Sequence, residues 1–158
     1  MKERDMIVNG LYIVQDRYFA TFPSDRTMKN KSEARPNYYA IKDRDGIFWM
    51  IPLSKQVEKY RNWIIRDEKK YGPGKCVLWD ISVIAGIERA VLIGNMFPVL
   101  PEYIQRAYTI DGIPYIVKNT KTIDRIRKKA MRYLNLVENH RITPVFDILA
   151  VKNKLLNP

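Results

Sequence analysis

The chain is poor in cysteine and histidine, the residues that most often carry zinc and redox chemistry. Its 158 residues include one cysteine, Cys76, and one histidine, His140. A single cysteine cannot close an internal disulfide, which excludes a disulfide-stapled scaffold and favours a reducing compartment. Because Cys76 lies in an apolar run, we expect it to be a buried small hydrophobe. Cys76 and His140 together are too few to build a zinc site of the usual ligands within one chain, and catalysis by two histidines is excluded.

Long apolar runs and familiar catalytic motifs are absent as well. No stretch approaches the roughly 18 apolar residues of a membrane span, and the charged first ten residues lack the apolar core of a signal peptide. We therefore expect a cytoplasmic protein. The motifs G-x-x-x-x-G-K-[ST], G-x-G-x-x-G, H-E-x-x-H and G-x-S-x-G do not occur, so nucleotide hydrolysis, zinc proteolysis and the usual serine hydrolases lose support. The acidic residues are scattered, and neither a two-metal nuclease nor a cofactor is expected.

Basic and aromatic residues, in contrast, are plentiful. The chain has 28 Lys and Arg against 17 Asp and Glu, a formal net charge of +11, and residues 118–158 alone carry 10 basic and 3 acidic residues. Such an excess favours polyanions as partners, although a basic helix face also serves simple solubility. The 10 Tyr, 5 Phe and 3 Trp offer rings that can stack on unpaired bases, while most will pack in the core. Together these features favour RNA.

The order of predicted elements indicates an α+β fold with a mostly antiparallel sheet. Period and turn signals predict strands at residues 11–15, 37–42, 47–53, 75–83, 89–93, 107–110 and 113–117, with hairpin turns at 43–46 and 111–112. They predict helices at residues 16–22, 55–71 and 120–139, and a last helix that opens at Thr143-Pro144. Residues 24–34 and 94–101 are predicted loops, and 102–106 a short helical turn. No repeat or linker divides the chain, so residues 1–158 are predicted to form one domain.

One reaction on RNA needs neither metal nor histidine in principle, because RNA supplies its own nucleophile. In-line attack of the 2′-hydroxyl on the adjacent phosphate leaves a 2′,3′-cyclic phosphate and a 5′-hydroxyl. The protein then has to orient the nucleotide, stabilise charge on the phosphoryl oxygens and help move protons. Hydroxyl, amide, Lys and Arg groups supply the first two functions, and one preorganised donor contributes on the order of 10²–10³ in rate. The proton acceptor is not identified by the sequence.

Four segments, taken in order, resemble a known family. They are residues 11–18 (LYIVQDRY), 35–39 (RPNYY), 46–55, which end in Pro52-Leu53-Ser54-Lys55, and 94–96 (GNM). The ordered set is similar to the endoribonuclease toxins of type III toxin-antitoxin systems, the ToxN, AbiQ and CptN proteins, and most closely to the CptN branch. No single motif is diagnostic. The resemblance spans roughly residues 10 to 135.

The resemblance implies a fold, an activity and a partner. The fold is a strongly twisted antiparallel sheet, a relative of the barrel in the MazF and Kid toxins, with helices packed around it. The activity is metal-independent RNA cleavage to cyclic phosphate ends. The inhibitor is a small structured RNA, a pseudoknot that the toxin processes from a repeat array and binds in a closed RNA–protein assembly. Some family members defend bacteria against phage.

The resemblance also implies candidate catalytic residues, each with a plainer alternative. Ser54 follows Pro-Leu, where the family has an active-site hydroxyl, but it is also a good helix N-cap. Tyr18 is a base-stacking candidate or a core ring. Arg35 is a candidate to replace the charge of a lysine that the ToxN branch has where this chain has Asn37, because Arg pairs with phosphate bidentately. Whether Lys55 or Lys59 supplies a second cation stays open.

Further candidates for RNA contact lie in the last third of the chain. Tyr103 and Arg106 follow the Gly-Asn-Met segment. The helix at 120–139 is predicted to offer a phosphate-tracking face whose affinity falls steeply with salt. Its candidate residues are Lys121, Arg125, Lys128, Lys129 and Arg132.

Two other functions remain open at this stage. The first is a non-catalytic RNA-binding module that uses the same basic face and aromatic rings. The second is a MazF-like ribonuclease toxin that a protein antitoxin restrains, with the same chemistry but a different partner.

Overall fold

An antiparallel sheet organises the protein in the computed structural model, which describes residues 1–24 and 29–158. Over these residues seven strands form it, in the order β4-β5-β3-β2-β1-β7 with β6 paired to β3. The strands are β1 Leu11–Val14, β2 Asn37–Lys42, β3 Phe48–Ser54, β4 Asp80–Ile84, β5 Ile87–Val91, β6 Phe97–Val99 and β7 Ile104–Ala107. A separate hairpin joins β8 Thr109–Ile110 to β9 Ile113–Pro114. The predicted α+β class is therefore confirmed.

Strand β3 is the centre of the sheet and is buried along its whole length. It pairs with β2 on one side, and with β6 and then β5 on the other. A strand covered on both faces reads as a continuous apolar run, and the sequence FWMIPLS has that character. The main apolar cluster extends from Leu11 in β1 to Leu155 near the C-terminus, with Trp49, Tyr18 and Phe97 among its largest buried rings.

Four helices accompany the sheet in the described residues: α1 Asp16–Thr21, α2 Val57–Tyr71, α3 Thr120–Glu138 and α4 Ile148–Leu156. The residues of β4 alternate in burial, with Asp80, Ser82 and Ile84 on one face. Helix α3 reaches that face through an ion pair with Asp80, while Tyr60 and Trp63 of α2 pack with Ile81 and Trp79. The two helices thus lie on opposite sides of β4. No helix in the described ranges is long and apolar enough to cross a membrane.

Several predicted elements differ from the structure. The predicted loop at 94–101 contains β6, which the sequence conceals because Pro98 lacks the N–H that a strand normally donates. Residues 102–106 are not helical throughout, since a 3₁₀ turn at Pro101–Tyr103 leads directly into β7. The strand predicted from residue 75 begins at Asp80, and the last helix begins at Ile148 with Asp147 as its N-cap. In the predicted loop 24–34, residues 25–28 lie outside the described residues.

Candidate active site

Arg35 is the buried cation around which the candidate site is built. It lies just before β2, and its Nε donates a 2.6 Å hydrogen bond to the carbonyl of Lys29. One terminal nitrogen donates a second 2.6 Å bond to the carbonyl of Leu53, the residue before Ser54. Burial lowers the pKa of Arg35 from its usual value, but a guanidinium stays charged in proteins. A fixed positive charge therefore lies beside the end of β3.

Ser54 ends β3 and is 5% exposed. Its Oγ accepts a 3.1 Å hydrogen bond from the backbone N–H of Gln56, and the hydroxyl proton is left for donation in another direction. The prediction that Ser54 caps the following helix is wrong, because α2 begins at Val57 and its N-cap position is Gln56. Ser54 instead closes the short turn that connects the sheet to α2.

Two lysines add to the positive charge of Arg35. The charge of Arg35, then burial, then the charge of Lys55 lower the pKa of Lys31 from its usual value. Lys31 lies in a turn in which residues 31, 32 and 33 all have positive φ, a strained conformation for side chains other than glycine. Cations close enough to repel one another form a region in which an anion is stabilised. Of the two lysines left open by the sequence, Lys55 belongs to this group.

Tyr60 completes the group from the first turn of α2. It is buried, and burial raises its pKa while the nearby charge of Arg35 partly opposes that rise. The sequence predicts a helix at 55–71 and a loop at 24–34, and it gives neither Tyr60 nor Lys31 a role. The helical period that marks Tyr60 as inward-facing gives no sign that it faces a cation, and nothing in the sequence marks Lys31.

Asn37 is hydrogen-bonded to the backbone of Arg35. It is 1% exposed, and its Nδ2 donates to the carbonyls of Arg35 at 3.1 Å and Tyr12 at 3.3 Å. The adjoining cavity, of about 10 Å³, also brings in Asn30 and Asn95, so the Gly94-Asn95-Met96 segment meets the other matched segments here. The Oδ1 of Asn30 is buried and has no hydrogen-bond partner within the described parts of the chain. Asn37 thus acts on the site by positioning Arg35.

Tyr18 lies in the core. It is 1% exposed, its hydroxyl donates a 2.6 Å bond to the carbonyl of Pro98, and its ring packs against four others. Burial raises the pKa of the hydroxyl far above its usual value. In this conformation the ring cannot stack on a base, so the structure favours the packing alternative.

Three further candidates, Tyr103, Arg106 and Lys59, make contacts of their own. The guanidinium of Arg17 sits 4.5 Å from the ring centroid of the half-buried Tyr103. Arg106 is exposed on β7. Lys59 points its ammonium toward the rings of Tyr60 and Trp63, at 5.3 and 4.9 Å. Lys59 therefore lies on α2 beside Tyr60, between the candidate active site and Trp63.

The basic face of α3 is divided between a structural ion pair and exposed cations. Arg125 Nε lies 3.1 Å and Lys129 Nζ 3.0 Å from the carboxylate of Asp80, and Arg125 also donates to Ser82 Oγ. Both residues therefore hold a protein carboxylate, and a role for them in phosphate binding stays a prediction. Arg125 stays 42% exposed at its side chain, and Lys121, Lys128 and Arg132 are exposed as well.

Metal ligation has no clear place in the described residues, where no group of three or more His, Cys, Asp or Glu residues lies close enough together to hold an ion. Cys76 is buried as predicted, and burial raises the pKa of its thiol. The chemistry that the site offers is hydrogen bonding and positive charge directed at an anion.

Comparison with known proteins finds a likeness in structure. The sequence matches no model of a protein family and no curated protein. The structure is similar to that of AbiQ, a lactococcal anti-phage endoribonuclease belonging to the type III toxin-antitoxin system. The TM-score is 0.63 and the sequences are 16% identical, over 92% of this chain and 96% of AbiQ. At this identity the likeness establishes a shared fold, and it does not separate the CptN branch from its relatives.

Proposed function

We propose that this chain is a metal-independent endoribonuclease toxin of a type III toxin-antitoxin system. The observation that carries the proposal is the buried guanidinium of Arg35, bonded to the carbonyl that precedes the buried Ser54, with Lys31 and Lys55 adding positive charge, on a fold shared with AbiQ. The site offers an anion positive charge, a hydroxyl donor and a rigid frame. The kinship of the sheet with MazF, the CptN assignment and a cytoplasmic location belong to the same proposal, as does a single toxin domain over residues 1–158.

The reaction needs a phosphodiester held between these groups. Arg35 and the two lysines stabilise the negative charge that grows on the phosphoryl oxygens, and Ser54 donates a hydrogen bond to one of them. The 2′-oxygen forms a bond to phosphorus as the bond from phosphorus to the 5′-oxygen breaks. The 2′-hydroxyl loses its proton to a base and the departing 5′-oxygen receives one.

The proposed partner is RNA in two forms. One is the cellular or phage RNA that is cut, and the other is a small pseudoknot RNA that the toxin processes from a repeat array and binds in a closed RNA–protein assembly. The face formed by Lys121, Lys128 and Arg132 lies on the side of the sheet away from α2 and Ser54. It is therefore suited to a second stretch of RNA.

Replacing Ser54 by alanine tests the site. Loss of one preorganised donor lowers the cleavage rate by on the order of 10²–10³, and we expect expression of Ser54→Ala to relieve toxicity. Thr109→Ala, which removes an exposed hydroxyl on β8, is the matched control and keeps full activity. Equal cleavage by Ser54→Ala and the parent protein contradicts the assignment.

Two other results would indicate the alternative functions. Salt-sensitive binding that leaves RNA intact indicates a non-catalytic RNA-binding module. Copurification of an acidic protein in place of repeat RNA indicates a MazF-like system.

A further inference from the structure

An open cleft of about 530 Å³ lies along the second half of α2, separate from Ser54. Helix α2 supplies most of its lining, and the residue just before β4 supplies the rest. The lining residues are Trp63, Arg66, Asp67, Lys70, Tyr71 and Trp79. No step of the proposed cleavage reaction uses this cleft.

Aromatic rings dominate the cleft. The centroids of Trp63 and Trp79 are 5.2 Å apart with the ring planes at 58°, and Trp63 makes a second, edge-on contact with Tyr60 at 5.2 Å. Both tryptophans are only partly buried, and Tyr71 is 61% exposed. Large rings that remain open to solvent beside one another form a surface on which a planar ligand stacks.

The charges around the rings are mainly positive. Arg66 and Lys70 line the cleft and are exposed, and the ammonium of Lys70 lies 5.1 Å from the Tyr71 ring centroid. Asp67 is the acidic residue of the lining, and its carboxylate is an acceptor for an amino group of a base. Aromatic rings flanked by cations are the combination that binds single-stranded nucleic acid, because the rings take the bases and the cations take the phosphates.

We propose that this cleft binds an unpaired base of RNA, which stacks on the rings of Trp63, Trp79 and Tyr71 while Arg66 and Lys70 contact the neighbouring phosphates. The inference rests on the proposed function for the identity of the polyanion. Eleven residues of α2 separate Tyr60, beside Arg35, from Tyr71, which is about 16 Å at the helical rise. Trp63 contacts Tyr60, so the cleft begins next to the candidate active site and extends away from it along α2, and it sets which RNA is held and in which register.

Tryptophan fluorescence gives a direct readout. Of the three tryptophans, Trp49 is buried, with its Nε1 bonded to Asp43 at 3.0 Å. A fully 2′-O-methylated oligonucleotide, which lacks the attacking hydroxyl, should quench Trp63 and Trp79 in a saturable way. The variants Trp63→Phe and Trp79→Phe keep an aromatic ring and assign the quenching. In the double variant, where Trp49 alone emits, we expect the quenching to disappear.

Exposed residues then test the affinity without disturbing the core. Tyr71→Ala should raise the dissociation constant for the same oligonucleotide by about tenfold, the order expected for a lost stacking partner, and Lys70→Ala should weaken binding as well. Lys69→Ala is the matched control, because Lys69 is exposed on the same helix but does not line the cleft. It should bind as the parent protein does.

The outcomes separate this inference from the proposed function. Unchanged affinity in both Tyr71→Ala and Lys70→Ala overturns the proposal that the cleft binds RNA. Quenching by a polyglutamate peptide but not by the oligonucleotide also overturns it, since the partner would then be an acidic protein segment. Normal RNA cleavage without quenching contradicts RNA binding in the cleft and supports the proposed ribonuclease activity. Quenching by the oligonucleotide with no cleavage of unmodified RNA supports the cleft and contradicts the ribonuclease.

Discussion

The guanidinium of Arg35 donates a 2.6 Å hydrogen bond to the carbonyl of Leu53, the residue that precedes Ser54. The bond joins the chain entering β2 to the end of β3, so the cation and the hydroxyl of the candidate site are held by one rigid contact. The position of positive charge beside Ser54 therefore depends on the fork-shaped geometry of arginine.

Arg35→Lys should lower the rate of RNA cleavage by about 10- to 1,000-fold, because a lysine cannot hold both carbonyls and still face a phosphate. The rate is measured in single turnover with saturating protein, which separates the chemical step from binding. Arg44→Lys, a conservative change at an exposed hairpin turn, is the control. A rate within twofold of the parent protein in Arg35→Lys would show that arginine geometry is not used.

Lys31 should make RNA binding sensitive to alkaline pH. Its pKa is lowered by Arg35, by burial and by Lys55, so it loses its charge below the usual value of about 10.4. Binding of an uncleavable oligonucleotide should therefore weaken as pH rises through the Lys31 pKa and be unaffected well below it. Fluorescence anisotropy from pH 7 upward measures this fall. In Lys31→Arg the fall should move to higher pH, and an identical profile in the two proteins would assign the titration to another group.

Lys152 ties α4 to the hairpin turn between β2 and β3. Its Nζ lies 2.9 Å from Asp43 and 2.9 Å from Asp45. Burial acts to raise the pKa of Asp43. Hydrogen bonds from Trp49, Lys152 and the backbone N–H of Ile47 outweigh burial and hold this pKa below its usual value. A carboxylate with a depressed pKa stabilises the fold above its unfolded pKa of about 3.9, and that stability is lost as pH falls through the folded pKa.

Lys152→Met should accordingly lower the free energy of unfolding by about 1–3 kcal/mol at pH 7, and by less in strong acid. Urea denaturation at the two pH values measures both numbers. Lys154→Met, an exposed change on the same helix, should be nearly neutral. A loss that is equal at neutral and acid pH would mean that Lys152 contributes packing alone.

The exposed cations of α3 should account for part of the salt dependence of RNA binding. Replacing Lys121, Lys128 and Arg132 together by alanine should reduce the slope of log affinity against log salt by roughly 0.7 for each lost contact to single-stranded RNA. Arg125→Ala should instead destabilise the fold, because Arg125 pairs with the buried Asp80. An unchanged slope in the triple variant would remove this face from the RNA interface.

Local patterns predicted much of the fold but little of the site geometry. The turn at Asp43 to Gly46 and the long amphipathic α3 are set by nearby residues, and both are present as predicted. Strand β6 was missed because it depends on pairing with β3, a contact between distant residues that overrides the bias of Pro98. Lys31 and Tyr60 were missed for a similar reason. Their relation to Arg35 arises only when three separate segments meet.

The resemblance of short segments predicted which residues converge, since Arg35, Asn37, Ser54 and Asn95 do lie around one region. It did not predict how they act. Asn37 supports the backbone of Arg35, Tyr18 packs in the core, and Arg125 with Lys129 binds Asp80. Burial and partner identity decide these roles, and neither can be read from a motif.

The chemical nature of the RNA ends is the measurement that tests the central claim most directly. Unmodified RNA is incubated with the purified protein in the presence of EDTA, and the products are analysed by mass spectrometry. Attack by the ribose hydroxyl predicts a 2′,3′-cyclic phosphate on one fragment and a 5′-hydroxyl on the other. A 3′-hydroxyl paired with a 5′-phosphate, or cleavage abolished by EDTA, would contradict the account.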